Sequence, residues 1–278
     1  MTGNVSAVFG VSGSRSAYEA SKIIKENKGK YLIITASEGR AREMAEDVSY
    51  FAGKKTMYVP HEDNFFLGYE ARDHEQLMKR LNALHFLRTD DEAVIAAPVS
   101  AAIKKTVPHR VFEQEKVVLR RGESCDLGSL KESLQRLGYE RLPIVESRGS
   151  CSIRGDIFDV FTPEADDPYR VEFFDDEIES IRSFDIDTQR SIEQLTEITI
   201  GPCEQLISDR EVFRKASEKI RKEYDDQIRR MSKSEDRTEA VRTLEKRRDT
   251  LLGYVEDMTN IQLLENYVRF FYDSPEYI

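Results

Sequence analysis

Short apolar runs alternate with helical patterns through the first 110 residues of the chain, and this alternation constrains the fold more than any other feature. The apolar runs lie at residues 5–9, 31–35, 57–59 and 93–97, and the helical patterns lie at residues 16–27, 37–52 and 74–88. Short buried strands that alternate with helices indicate a parallel β-sheet with crossover helices. The sequence therefore predicts an α/β domain over residues 1–115.

The segment GVSGSRS, residues 10–16, follows the first predicted strand, where a phosphate-binding loop lies in such folds. A working loop reads G-x-x-x-x-G-K-[ST]: the backbone N–H groups cradle the phosphates, the Lys contacts them and the hydroxyl ligates Mg²⁺. Here Arg15, Ser16 and Ala17 stand at the positions of the last Gly, the Lys and the Ser/Thr. We therefore predict a degenerate loop that binds no nucleotide. Its residues are Gly10, Gly13, Ser14, Arg15 and Ser16.

The pattern changes from residue 116 onward. A strand and turn are followed by a short helix at residues 128–137, and apolar and polar residues then alternate through residues 153–160, 169–174 and 178–184. Such alternation, interrupted by a Pro-containing turn, predicts an antiparallel β-meander. Residues 116–203 are therefore expected to form an inserted β-rich α+β domain.

Two details of the meander follow from the same alternation. If residues 153–160 form one strand, Arg154 shares a face with Phe158 and Val160, and Asp159 lies on the opposite face. A Gly within a strand, here Gly155, marks a bulge or a close approach of another backbone.

Apolar residues with helical spacing dominate residues 204–278, where we predict a helical hairpin that packs on the first domain.

Composition restricts the class of partner. The formal net charge is −10, which argues against general binding to a phosphate backbone and favours a protein partner. The three cysteines form no C-x-x-C pair, so neither a disulfide framework nor a zinc site is indicated, and a reducing cytoplasm is predicted. No apolar run reaches the ~18–20 residues of a membrane span.

No metal site, cofactor or catalytic residue is predicted. The acidic run of Asp175, Asp176, Glu177 and Glu179 reads as a solvated turn, since no spaced His or further carboxylate supports metal coordination. The four histidines, His61, His74, His85 and His109, are dispersed without metal-ligand spacing. Neither a Ser/His/Asp order nor a G-x-S-x-G elbow occurs, so this stretch of chain is not expected to be an enzyme.

Four segments resemble the N-terminal region of the bacterial transcription-repair coupling factors. They are GVSGSRS, YLIITAS, APVSAAIKK and, most specifically, IRGDIFDVFTP with YRVEFFDDEIESIRSFD. That region is in turn similar to the excision-repair protein UvrB, which keeps the G-K-T ending of the phosphate loop. The resemblance implies a degenerate P-loop (RecA/UvrB-like) parallel-sheet domain that carries an inserted β-rich domain and a C-terminal helical segment.

The resemblance also implies a role. Members of the family recruit the damage-recognition protein UvrA to stalled transcription complexes. They also bind RNA polymerase through one domain and duplex DNA through ATP-driven motor domains, and these regions are absent from the 278 residues. Two alternatives remain: a nucleotide-dependent enzyme with an atypical loop, and a UvrB-type damage-binding protein. Against the second, a long aromatic hairpin is missing between Tyr58 and Arg80. Residues 63–73, DNFFLGYEARD, are the candidate for a remnant of it.

Three residues match the positions through which the family binds UvrA: Arg154, Arg170 and Phe174. Arg170 and Phe174 share one face of a strand, and an Arg beside an exposed aromatic is typical of binding hot spots. We therefore expect an exposed docking patch. Without the resemblance, the same residues would indicate a cross-strand salt bridge with a partly buried Phe174.

Overall fold

The structure, a computed structural model, describes residues 7–61, 74–207, 209–232 and 238–278. The chain divides into two compact units, one of residues 1–63 and 82–104, the other of residues 64–81 and 105–278. It is a mixed α/β protein with one parallel sheet and a separate, larger β-rich part. The predicted boundaries after residues 115 and 203, and the packing of residues 204–278 on the first domain, stay predictions.

The first unit is built around a three-stranded parallel sheet. Its elements are α1 (Ser14–Glu26), β1 (Tyr31–Thr35), α2 (Glu38–Ala52), β2 (Thr56–Tyr58), the second half of α3 (His74–Thr89), β3 (Val94–Pro98) and α4 (Val99–Ala102). The strand order is β1-β3-β2 with both pairs parallel, as the alternation predicts. Local chemistry sets the ends of α2: the Ser37 hydroxyl accepts from the Arg40 N–H, and Gly53 closes the helix with φ 67°.

The strand predicted at residues 5–9 is not formed where the structure describes it. Residues 7–9 lie outside any strand, and the side chains of Val8 and Phe9 are 60% and 89% exposed. The apolar run predicted a buried strand, but burial is what stabilises such a strand and these side chains lack it. Residues 5 and 6 lie outside the described part of the chain, as does the DNFFLGYEARD segment.

The second unit begins with the first half of α3, α5 (His109–Glu115), β4 (Val117–Arg120), α6 (Leu127–Arg136) and β5 (Glu140–Arg141). The meander follows, with β6 (Ser150–Arg154), β7 (Ile157–Val160), β8 (Tyr169–Phe174), β9 (Glu177–Phe184) and β10 (Ser191–Leu195), and then β11 (Glu197–Ile200). The six-stranded sheet has the order β10-β9-β8-β7-β6-β5. Its five pairs are antiparallel except β5–β6, and β4 pairs with β11 in a separate two-stranded sheet.

One face of the six-stranded sheet packs on α6 and buries the main apolar core of the unit. Leu130 and Leu134 of α6 lie against a layer of strand residues that includes Phe158, Val171 and Ile181. The Asp126 carboxylate begins α6 by accepting a hydrogen bond from the Ser129 N–H at 2.7 Å. Because α6 covers this inner face, the opposite face is left for polar residues.

The helical end of the chain contains α7 (Arg210–Met231), α8 (Thr238–Glu256), α9 (Ile261–Leu264), a 3-10 turn (Glu265–Tyr267) and α10 (Val268–Phe271). α7 packs against α8 as a hairpin around Phe213, Ile220, Leu252 and other buried side chains. Charged residues of both signs cover the rest of these helices and pair with one another, as between Arg248 and Asp225. Among the described helices, none is long and apolar enough to cross a membrane.

Candidate functional site

A two-residue turn fixes which residues share the outer face of the sheet. β6 and β7 are joined by Gly155 and Asp156, with Arg154 opposite Ile157. Gly155 has φ 60°, and no atom of the described residues lies within 4 Å of where a Cβ would stand, so within this part of the chain Gly155 serves the turn rather than a bulge or a close backbone approach. The prediction of one continuous strand over residues 153–160 is therefore wrong. The turn shifts the alternation, and Arg154 lies on the same face as Asp159.

Asp159 holds both arginines on this outer face. Its carboxylate is 1% exposed and accepts hydrogen bonds from Arg170 Nε at Oδ1 (2.7 Å) and from Arg170 Nη2 at Oδ2 (2.8 Å). Arg154 Nη2 donates to the same Oδ2 at 2.7 Å. The hydrogen bonds to Asp159 raise the pKa of the Arg170 guanidinium, which therefore stays charged. The outer face thus contains a buried anion with a cation on each side.

The two arginines differ in exposure. The Arg154 side chain is 43% exposed, but that of Arg170 is only 13% exposed. Arg170 also stacks its guanidinium 4.4 Å from the centre of the Phe184 ring and donates to Gln189 Oε1 at 2.9 Å. The expectation of three exposed residues is therefore wrong for Arg170, because the carboxylate, the ring and the amide enclose it.

Phe174 ends β8 beside the turn to β9. Its side chain is 76% exposed, so the partly buried aromatic of the salt-bridge alternative is also wrong. The alternation of β8 explains this: Val171 and Phe173 point into the core, and Arg170, Glu172 and Phe174 point outward. An exposed aromatic at a strand end has no role in the core of this unit and is available to a partner.

A second ion pair extends the outer face. The Glu172 carboxylate accepts hydrogen bonds from Arg182 Nη1 at 2.8 Å, from Arg182 Nη2 at 2.6 Å and from the Ser180 hydroxyl at 2.7 Å. These bonds, that of Arg182 first, lower the pKa of Glu172. The acidic turn that follows, at residues 175–177, is exposed, and Asp175 has φ 61°. Among the described residues, no three His, Cys, Asp or Glu side chains are arranged to hold a metal ion.

Sequence reasoning missed Asp159. The residue stands between Phe158 and Val160 in a buried strand, and the assignment of faces placed it away from both arginines. The signal was available in Gly155-Asp156, because Gly followed by a polar residue between two strands is typical of a two-residue hairpin turn. This turn places Asp159 on the same face of the sheet as Arg154, and its buried carboxylate therefore lies beside both arginines.

The glycine-rich loop leads into α1. Gly10 and Gly13 have φ 72° and 55°, and Ser14 is the first residue of the helix. The N–H groups of Arg15 and Ser16, which would face a phosphate in a working loop, donate to the carbonyls of Ser12 and Gly13, both at 3.3 Å. Part of the backbone cradle is therefore used within the loop.

A side chain from α2 binds two polar groups of the loop. Arg40 Nη2 donates to the Gly13 carbonyl at 2.8 Å and to the Ser16 hydroxyl at 2.6 Å. Ser16 itself donates to the Gly13 carbonyl, and Ala17 is fully buried. This arrangement joins the loop to α2, and the expected lack of nucleotide binding stays a prediction.

We expect neither Mg-ATP nor Mg-GTP to stabilise the chain. A nucleotide at about 100 times its Kd would raise the free energy of unfolding by about 2.7 kcal/mol, which a thermal-shift assay detects readily. MgCl₂ alone serves as the blank, and a nucleotide-binding protein with an intact G-K-T loop serves as the positive control. A concentration-dependent rise in Tm with either nucleotide would contradict the prediction and favour the enzyme alternative.

Comparison with known proteins connects this outer face to a family. Residues 117–206 match the model of the UvrB interaction domain, and β6 to β9 lie within this range. The chain is 28% identical over 267 residues, or 96% of its length, to the transcription-repair-coupling factor of Bacillus subtilis. It is 27% identical over 273 residues to that of Staphylococcus aureus, and 27% identical over 209 residues to that of Escherichia coli.

These relatives are much longer proteins. The chain spans 22% of the B. subtilis protein, 23% of the S. aureus protein and 18% of the E. coli protein. The family model covers the meander, which contains the most specific of the four resembling segments. Residues 117–206 are therefore similar to a UvrB interaction domain, and the chain is similar over nearly all of its length to the bacterial transcription-repair-coupling factors, consistent with their N-terminal region.

Proposed function

We propose that this chain is a UvrA-docking module of a transcription-repair coupling factor and that the outer face of the six-stranded sheet makes the contact. One observation carries the proposal. Strands within the range matched by the UvrB interaction domain present Arg154, which is half-exposed, and Phe174, which is exposed. Arginine and large aromatic side chains are enriched among the residues that dominate binding energy.

The three residues have different parts in this proposal. Phe174 inserts into an apolar pocket of UvrA, and the Arg154 guanidinium pairs with a carboxylate of UvrA. Arg170 is 13% exposed, so it offers little surface and acts mainly through Asp159. The exposed acidic turn beside Phe174 favours a partner surface with positive charge at its rim.

The remaining parts of the proposal concern the longer protein. We propose that the first unit is a degenerate, RecA-like and UvrB-like domain that supports the docking domain and has no catalytic role. In the whole coupling factor, other regions would bind RNA polymerase and duplex DNA and hydrolyse ATP, in the bacterial cytoplasm. The similarity of the chain to transcription-repair-coupling factors supports this assignment.

The test is a calorimetric titration of purified UvrA with the 278-residue chain and two variants, Arg154→Ala and Phe174→Ala. We expect each variant to lose about 2 kcal/mol of binding free energy, roughly a 30-fold loss of affinity, because each removes a central contact. Circular dichroism and urea unfolding should show a stability within about 1 kcal/mol of the unmodified chain, because neither side chain is buried.

Two matched variants control for loss of an exposed side chain. Tyr50 is an aromatic residue, 83% exposed, in the other compact unit. Arg120 is 51% exposed and pairs with Glu197 in the separate two-stranded sheet. Tyr50→Ala and Arg120→Ala should bind UvrA as the unmodified chain does. If Arg154→Ala and Phe174→Ala also bind normally while folded, the outer face is not the docking surface.

A further inference from the structure

The buried carboxylate of Asp159 binds Arg154, the more exposed of the two arginines on the outer face. Asp159 Oδ2 is 2.7 Å from Arg154 Nη2, and the carboxylate is 1% exposed whereas the Arg154 side chain is 43% exposed. A guanidinium has five N–H donors, and Arg154 uses one of its nitrogens for Asp159. No hydrogen bond from Arg154 Nε or Nη1 occurs among the described residues, so these groups remain available.

We propose that Asp159 is a positioning residue of the docking face, which holds the Arg154 guanidinium so that its free N–H groups meet a carboxylate of UvrA. This inference rests on the proposed function. An unrestrained Arg side chain is rich in rotamers and loses that freedom on binding, which weakens the complex. Asp159 restricts the side chain before UvrA arrives, so less conformational entropy is lost in the complex.

The surroundings of Asp159 keep its carboxylate fixed. Arg170 binds it through two nitrogens, and Gln189 Oε1 accepts from Arg170 Nη2 at 2.9 Å. Gln189 has φ 60° and donates its own amide to the Ile186 carbonyl at 2.9 Å, which orients its side chain toward Arg170. The chain of contacts therefore runs from Gln189 through Arg170 and Asp159 to Arg154.

A purely structural role for Asp159 makes a different prediction. If Asp159 only stabilises the sheet, its replacement lowers the Tm but leaves the affinity of the folded protein for UvrA unchanged. If Asp159 acts through Arg154, its replacement weakens binding only while Arg154 is present. A double-mutant cycle on UvrA affinity separates the two roles, because residues that act through one another give non-additive effects.

The experiment titrates UvrA with four variants of the 278-residue chain, namely Arg154→Ala, Asp159→Asn, their combination, and Gln189→Asn. We expect Asp159→Asn to weaken binding about 10-fold through loss of the restraint, and the combined variant to bind within about 2-fold of Arg154→Ala alone. Gln189→Asn tolerates the positive φ but is too short to reach Arg170, so a loss of about 3-fold is expected. This last variant adds no buried charge, and it tests the inference even if Asp159→Asn fails to fold.

Each outcome decides the inference. Weaker binding by Asp159→Asn or Gln189→Asn, with the combined variant matching Arg154→Ala, supports it. Normal binding by folded Asp159→Asn and Gln189→Asn, or fully additive losses in the combined variant, overturns the positioning role and leaves the docking proposal in place. Normal binding by both Arg154→Ala and Phe174→Ala overturns the docking proposal and the positioning role together.

Discussion

Replacement of Arg170 by Ala is expected to lower the free energy of unfolding by about 3 kcal/mol, because the buried Asp159 carboxylate would lose most of its compensating hydrogen bonds and charge. Asp159 would lose both bonds from Arg170 and keep only the bond from Arg154 Nη2 to Oδ2. The contact with the Phe184 ring, 4.4 Å from the guanidinium, would be lost as well. Urea unfolding at neutral pH measures the effect as a lower midpoint at an unchanged m value.

Arg154→Ala is the matched control, because it removes the other arginine from the same carboxylate. That arginine is 43% exposed and makes one bond to Asp159, so we expect a loss below about 1 kcal/mol. The addition of Asp159→Asn to Arg170→Ala should recover part of the lost stability, because it removes the buried charge. A stability of Arg170→Ala within about 0.5 kcal/mol of the unmodified chain, as for an ordinary surface substitution, would refute the prediction.

The sequence alone could not establish that Arg170 is enclosed by its contacts with Asp159 and Gln189. Several strands of the parallel sheet and of the meander were predictable, because a run such as residues 31–35 is continuously apolar and residues 169–174 alternate. Several of the longer helices were predictable from apolar spacing, and at α2 the caps Ser37 and Gly53 also mark the ends. These signals are local, and local signals determine where an element lies but not what its side chains contact.

The outer face of the sheet shows what local signals leave out. The alternation of side chains along a strand predicts that Arg170 and Phe174 share a face, and they do. The exposure of each side chain, however, depends on the neighbouring strands. Arg170 is covered because β7 supplies Asp159, and Gln189 follows β9. Phe174 is exposed because it stands at the end of β8, beside an acidic turn. Both outcomes depend on register across the sheet, which is set by turns such as Gly155-Asp156.

The loop at residues 10–16 shows a different limit. Its sequence indicated that the phosphate-binding Lys and hydroxyl were missing, and that inference needed only the motif. Arg40, which binds two polar groups of the loop, comes from another helix and belongs to no motif. The strand predicted before the loop failed for a related reason, because an apolar run forms a strand only where a neighbour buries it.

Alkaline pH is expected to destabilise the β-rich part of the chain strongly. Cys151 and Cys203 are each 2% exposed within the same apolar core. Burial raises the pKa of the Cys151 thiol to about 11 and raises that of Cys203 well above its ordinary value. Burial also raises the pKa of the Tyr139 hydroxyl, whose side chain lies in that core.

Proton linkage determines whether the free energy of unfolding rises or falls with pH. Unfolded thiols ionise near pH 8.5, whereas the buried thiols stay protonated, so above that pH the unfolded state binds fewer protons and stability falls as pH rises. The stabilisation is fully present below about pH 8.5 and is lost progressively toward the folded-state pKa values. At pH 10 each thiol accounts for a loss of about 2 kcal/mol, and the two together for about 4 kcal/mol.

Urea unfolding between pH 7.5 and pH 10, with a reductant present throughout, measures this loss. The double variant Cys151→Ala, Cys203→Ala should start from a lower stability but lose about 4 kcal/mol less over the same interval, because no buried thiol remains. Cys125→Ala is the matched control, since Cys125 is only partly buried and its replacement should retain most of the slope. If the double variant keeps the full slope, groups other than the two buried thiols cause the alkaline loss, and the assignment of the titration to this core is wrong.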